Sequence, residues 1–422
     1  MNANRRRFLK QGAAVSAFFA AGCLPAAANS HDERAVFEMG CDVVRGVMNE
    51  HVMSGYVPGL TWAVDWEDHT RVEAAGAMAF GGAPMHPDSI FRIASVSKPI
   101  TAAAAMVLVD DGKIDLDDPV DRYLPELANR RVLRSVDGPL DDTVPARRAI
   151  TLRDLLTFRF GLGALASLPE SAPIRMAMAE RDLEPGEEIF PGTSDEYMRR
   201  MSDLPLAYQP GEVWLYHTGS EVAGVLVERV AGKPLGAFMN ERIFSPLGMK
   251  GTGFYVTPAN IGRLVTAYMP DASILKPTVF DAPIAGRFSK PPLFESGGGG
   301  LVSTAGDCLA FYSLLANEGG LGGVRVLSRQ AVAAMTSNQL TPEQMRAVEA
   351  RSLLGGDGWG LGVSVQEDGS FGWIGSYGTV AFCDPAQRLT AILMTQRLMD
   401  LESSDLPPTM RDFYAASTAF TM

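Results

Sequence analysis

Residues 91–113 read FRIASVSKPITAAAAMVLVDDGK and place Ser95 and Lys98 three positions apart at the head of an apolar stretch. Ala102 to Val109 carry no polar side chain, the pattern of a helix buried on all sides. Gly112 supplies a natural stop, and Pro99 falls in the first turn, where its missing N–H leaves no bond unmade. Positions i and i+3 of a helix share a face, so the lysine amine can reach the serine oxygen. The unpaired N–H groups of the first turn and the positive end of the helix dipole favour an oxyanion and a neutral amine there. Such a pair can make a hydroxyl nucleophilic with no histidine. The spacing alone is weak, because Ser273 and Lys276 repeat it. Pro277 follows that second copy and no apolar helix comes after it, so it reads as a surface loop.

The chain has 422 residues, 46% of them hydrophobic, enough to bury a large core. Its formal net charge of −12 leaves nothing to neutralise phosphates, so nucleic acid is excluded as a partner. No glycine-lysine nucleotide loop is present. The basic residues at the start form a targeting device. Arg5 and Arg6, with Phe8-Leu9 after one spacer residue, precede an apolar run from Gly12 to Gly22 and small residues from Pro25 to Ala28. This resembles a twin-arginine export signal spanning residues 1–28, cut near Ala28, and implies a periplasmic protein. The run is too short for a stable membrane span. Ala20-Ala21-Gly22-Cys23 resembles a lipoprotein box and leaves a lipid anchor at Cys23 open. Cys41, Cys308 and Cys383 show no metal or disulfide spacing and read as small buried residues.

Along the rest of the chain, a helix is expected over about 32–52. Strands follow at 58–66 and 71–78, joined at Glu67-Asp68-His69. Short helices broken by Pro and Gly fill the middle, near 152–157, 195–201 and 220–231. A glycine run at 297–300 then leads into a further helix closed by Gly319-Gly320. WGLGVSVQ, FGWIG, GTVAFC and LTAILMTQ read as strands, and a helix near 407–420 ends the chain. The expected fold class is α/β (α+β): an antiparallel sheet flanked by helices and built from both termini, with a mostly helical insertion. One hydrolase-sized domain, 29–422, then has an α/β part at about 32–92 and 300–422 and a helical part at about 93–299.

A serine–lysine pair needs a third group to pass a proton to the leaving group. Tyr216, just ahead of a helix in PGEVWLYHTGSEVAGVLVERVAG, is a candidate: a phenol near an ammonium can act as phenolate, which the charge favours, or as a hydrogen-bonded relay. Thr218 and Glu221 have the spacing of a capping box for that helix. Nothing pairs His217 with Ser95, so no direct catalytic role is expected of it, and it counts with Thr218 as a substrate-binding candidate. The five histidines are scattered with no H-E-x-x-H, and no serine sits in a G-x-S-x-G elbow. The acidic run from Asp115 to Asp121 lacks the glycine of a calcium loop and reads as a turn.

Together with ITLRDLLTFRFGLG, FSPLGMKGTGF, GGGGLVSTAGD and GWIGSYGT, in that order, these segments resemble the serine β-lactamase-like hydrolases. That group includes β-lactamases with a tyrosine second motif, D-alanyl-D-alanine peptidases and family VIII carboxylesterases. The resemblance implies Ser95 as the acylated nucleophile, Lys98 as its activating neighbour and Tyr216 as general base or proton relay. The second motif, usually Tyr-x-Asn, here reads Tyr216-His217-Thr218, so Thr218 offers only a hydroxyl. The third, usually Lys-Thr-Gly, here reads Trp373-Ile374-Gly375, and the backbone N–H groups of Ser95 and Ser376 would form the oxyanion hole. A lysine there would pair with the carboxylate of a β-lactam or peptide. Tryptophan, as in family VIII esterases, is expected to offer an apolar wall to neutral groups. The implied activity is ester hydrolysis on a small molecule without a cofactor. A β-lactamase or carboxypeptidase, and a silent acyl-ligand-binding member, are the alternatives. The oligomeric state stays open.

Overall fold

The computed structural model describes residues 30–270, 277–400 and 406–421. The export signal, Cys23 and the Ser273–Lys276 pair lie outside the described residues. Among the described residues, no helix is long and apolar enough to cross a membrane.

The centre is a seven-stranded antiparallel sheet assembled from both ends of the chain. Its strands are β1 (Gly59–Trp66), β2 (His69–Gly76), β3 (Gly358–Trp359), β4 (Ser364–Val365), β5 (Phe371–Gly375), β6 (Thr379–Asp384) and β7 (Leu389–Met394). They run in the order β3-β4-β5-β6-β7-β1-β2, so the N-terminal hairpin adds onto the last C-terminal strand. The hairpin turn is tighter than the sequence suggests. His69 already pairs with Trp66, leaving Glu67 and Asp68, both at positive φ, as a two-residue turn. WGLGVSVQ is two short strands and not one, because the chain reverses through Gly362, which has a positive φ.

Both faces of the sheet are covered, which explains why β7 is buried at every position and apolar at all but Thr390. Successive side chains point to opposite faces. Trp62, Val64, Ala391 and Leu393 pack on one side with Phe37, Cys41 and Met48 of the N-terminal helix α1 (Ser30–Met53). Phe413 of the C-terminal helix joins them there. Ala63, Ala381, Ile392 and Met394 face the other way, with Cys308 and Phe311 of the helix Ala305–Ala316. Cys41, Cys308 and Cys383 are buried thiols.

That second core also takes in α2 (Ser97–Asp110), buried from Ser97 to Leu108, and α3 (Thr218–Ala231) packed beside it. Two small two-stranded ladders, Arg131–Leu133 with Thr143–Pro145 and Ala267–Met269 with Thr278–Asp281, interrupt the helical middle. Neither is evident from periodicity, since strands of three or four residues are too short to carry one.

Candidate active site

Ser95 does not sit on the α-helix itself. It lies in a single 3-10 turn, Ala94–Val96, which leads directly into α2. Ala94 takes a positive φ of 44°, a conformation that costs an alanine energy and that recurs where side chains are held for a purpose. Lys98, in the first turn of α2, is fully buried, and its Nζ lies 2.8 Å from Ser95 Oγ. The expected pair is therefore formed.

The amine has two further neighbours. Nζ is 2.6 Å from the carbonyl oxygen of Gly298 and 3.2 Å from His217 Nδ1. The glycine run lies along α2, held also by Thr101 Oγ1 donating to the Gly297 carbonyl at 2.7 Å. A side chain at Gly298 would meet Glu221 Oε1 at 2.7 Å and His217 Cε1 at 2.9 Å, so only glycine allows this approach. Burial lowers the Lys98 amine to about 7, against the opposing pull of Glu221. Near neutrality a substantial fraction is therefore uncharged.

Tyr216 and His217 come from a tight turn just ahead of α3. Thr218 N–H donates to the Tyr216 carbonyl at 3.2 Å, and His217 holds a φ of 79°. The Tyr216 hydroxyl is hydrogen-bonded to the Ser95 side chain and accepts from Trp373 Nε1 at 2.7 Å. Its ring also lies under Lys98 Nζ, 4.6 Å from the centroid. Burial pushes the phenol above its ordinary value. A phenol so raised rests as a neutral hydroxyl, which fits the hydrogen-bonded relay of the sequence reading better than the phenolate.

Three further placements differ from the sequence reading. The Thr218–Glu221 capping box is not formed. The N-cap of α3 is His217, and Thr218 Oγ1 is buried with no hydrogen-bond partner among the described residues. Glu221 instead receives His217 Nε2 at 2.9 Å and Ser296 Oγ at 2.7 Å. His217, counted only as a substrate-binding candidate, touches the lysine. Burial lowers its imidazole, and the neighbouring Lys98 adds to that. For Glu221, burial would raise the carboxyl, but the bonds from His217 and Ser296 hold it below the ordinary range.

Trp373 is the third. It is buried among Tyr216, Trp359 and Trp214 and is not among the residues lining the cavity at Ser95. Its indole N–H is engaged by the tyrosine hydroxyl. That cavity is lined by Ser95, Ser376, Tyr377, His217, Glu221 and Glu187, with Phe288 and Ile189 among the others, and by no lysine or arginine. Glu187 was not foreseen. Burial raises its carboxyl to about 7, and its Oε1 has no hydrogen-bond partner among the described residues. Gly375 lets β5 close onto the serine turn: a Cβ there would meet Thr379 Oγ1 at 2.2 Å and the Ile93 carbonyl at 2.4 Å. Ser376, the next residue, is thereby brought to the Ser95 cavity.

A buried serine, amine and phenol in mutual contact on an antiparallel sheet flanked by helices define a serine hydrolase of the β-lactamase fold. The chain matches the Beta-lactamase family over residues 42–412 and belongs to it. A Mycobacterium tuberculosis relative, protein Rv1367c, is 40% identical over 339 residues, covering 76% of this chain and 80% of its own. Esterase EstB of Burkholderia gladioli is 31% identical over 363 residues, 78% of this chain and 83% of its own. Among solved structures, EstCE1, described as a hydrolase with promiscuous acyltransferase activity, is similar with a TM-score of 0.74. It is 26% identical, across 91% of this chain and 100% of that one.

Proposed function

We propose that the chain is a carboxylesterase acting on short, neutral esters through an acyl-enzyme on Ser95. The observation that carries this reading is the charge of the cavity. Glu187, Glu188 and Glu221 line it without a lysine or arginine on the lining itself, Arg287 being set against Glu188 at 3.5 Å, while Trp373-Ile374-Gly375 stands where the resemblance leads one to expect Lys-Thr-Gly. Such a lining offers no lysine or arginine to grip the carboxylate common to β-lactams and peptide C-termini. A missing charge-assisted bond alone forfeits about 1.5–3 kcal/mol of binding. The similarity to EstB supports the same choice.

In this reading the neutral Lys98 amine takes the Ser95 proton as Oγ attacks the ester carbonyl carbon. The carbonyl oxygen, now negative, is held by the backbone N–H groups of Ser95 and Ser376. When the intermediate collapses, the bond to the alcohol oxygen breaks and the Tyr216 hydroxyl donates its proton to that oxygen. The phenol recovers a proton from Lys98. Water then attacks the acyl-serine by the reverse route, releasing the acid.

A fluorophosphonate should label Ser95 and no other residue, as read by peptide mass spectrometry. Ser95→Ala should abolish both labelling and p-nitrophenyl butyrate hydrolysis. The intact enzyme should turn over that ester well ahead of a chromogenic cephalosporin. Labelling elsewhere removes the mechanism, and a preference for the cephalosporin removes the substrate class. Export belongs to the same proposal and rests on Arg5 and Arg6. Replacing both with lysine should leave the protein in the cytoplasmic fraction, and unchanged export would refute that route.

A further inference from the structure

We propose that His217 and Glu221 form a positioning pair for Lys98: they hold its nitrogen on Ser95 and shelter the ammonium that it becomes. This rests on Ser95 and Lys98 working as described above.

The argument begins with the imidazole. Nε2 lies 2.9 Å from Glu221 Oε1, so that nitrogen carries the proton and donates it to the carboxylate. Nδ1 is left with a lone pair, and it faces Lys98 Nζ at 3.2 Å. Glu221 is itself fixed, because Ser296 Oγ donates to the same oxygen at 2.7 Å. The ring therefore has one tautomer and one orientation, set by a chain of bonds running Ser296, Glu221, His217, Lys98, Ser95.

The lysine nitrogen then has three neighbours: Ser95 Oγ, the Gly298 carbonyl and His217 Nδ1. A neutral amine donates its two N–H bonds to the Gly298 oxygen and Nδ1, and its lone pair is left pointing at the serine hydroxyl. When the serine proton moves to nitrogen, the ammonium has three N–H bonds and finds three acceptors already in place. Nothing has to turn as the charge appears, which is the condition for electrostatic preorganisation. The Glu221 carboxylate, one imidazole away, balances the new charge without competing for the proton. The strained backbone at His217 and the glycine at 298 both serve this packing.

The groups facing Lys98 are few. His217 and Glu221 come from α3 and its leading turn, with Tyr216 just before them. Glu187 and Glu188 lie across the cavity, as does Tyr377, whose phenol burial lifts to about 12. Glu187, raised by burial to about 7, falls in the same range as the amine.

The test is the pH dependence of kcat/KM for p-nitrophenyl butyrate in the full chain. Glu221→Gln keeps the shape but removes a charge that favours the ammonium. The acid limb should move down by about half a pH unit or more, with kcat reduced roughly tenfold or more and KM little changed. His217→Ala should cut kcat by roughly 10²-fold, while His217→Asn, which keeps an acceptor near Nδ1, should recover part of it. Equal loss in the two histidine variants, or an unmoved limb in Glu221→Gln, overturns the proposal. So does disappearance of the limb in Glu187→Gln, which would assign it to that carboxyl. Fluorophosphonate labelling of Ser95 in the same samples separates the cases: failure of the pair leaves labelling intact, whereas failure of the serine assignment does not.

Discussion

On one side of Ser95 an amine is enclosed by α2, the glycine run and an imidazole; on the other a phenol sits in a box of aromatic rings. Phe158, Trp214, Trp359 and Trp373 surround the Tyr216 ring at centroid distances of 5.6 to 6.5 Å. Both groups are buried, yet burial drives them in opposite directions. Removing water disfavours the charged form, which for lysine is the protonated one and for tyrosine the deprotonated one. The amine falls to about 7 and the phenol rises. Under the proposed mechanism the same desolvation suits the amine to accept a proton and the phenol to donate one. Two environments that separate the affinities of neighbouring groups are how a single fold supplies acid and base together.

The sharpest way to break this contrast is at the amine. Lys98→Met keeps the length and the apolar fit but removes the base, and should lower kcat/KM for a nitrophenyl ester by roughly 10⁴-fold. The wild-type profile should also carry the sign of the amine. Lys98 acts when neutral, so activity should fall as pH drops through about 7, where the lysine becomes charged. The limb should be missing from whatever rate the variant retains. A methionine variant that keeps both rate and limb would show that the nitrogen is not the base, and the two sides of Ser95 would lose their distinction.

The two sides also differ in how much of them is legible in the sequence. Ser95 and Lys98 share one turn, so three positions of spacing suffice to pair them. The apolar run after them identifies the buried helix. The longer strands of the central sheet are equally readable, because alternation and turn residues are local. The two- to four-residue ladders are too short to show a period. The remaining contacts of Lys98 come from segments more than a hundred residues away, and no local pattern encodes them. His217 and Glu221 are four apart, yet the pair straddles the start of α3. There Thr218 and Glu221 offer a competing cap that the tertiary structure declines in favour of the imidazole. The four-glycine run was the available signal for Gly298, since consecutive glycines mark a backbone that something must approach closely. Glu187 sits in a Pro- and Gly-punctuated stretch with no periodicity, and only folding shows that it faces the serine. Trp373 was located on its strand, but its hydrogen bond to Tyr216 was not foreseen, because a motif position says nothing of which neighbour a buried side chain meets.

That neighbour supplies the smallest and most discriminating effect. Tyr216→Phe should cost roughly 10²-fold in kcat, by removing the proton donor and stranding the indole N–H. Trp373→Phe removes only one hydrogen bond to the hydroxyl, worth about 0.5–1.5 kcal/mol, so kcat should fall no more than about tenfold. In the double variant the tryptophan change should have little further effect on kcat, because its consequence passes through the hydroxyl already removed. The ratio of ester to cephalosporin turnover should stay constant in Trp373→Phe, since the ring does not line the Ser95 cavity. A shift in that ratio would return the indole to the substrate site. Full additivity in the double variant would show that the aromatic side of Ser95 acts by packing alone, with the tyrosine proton no longer distinguished from its surroundings.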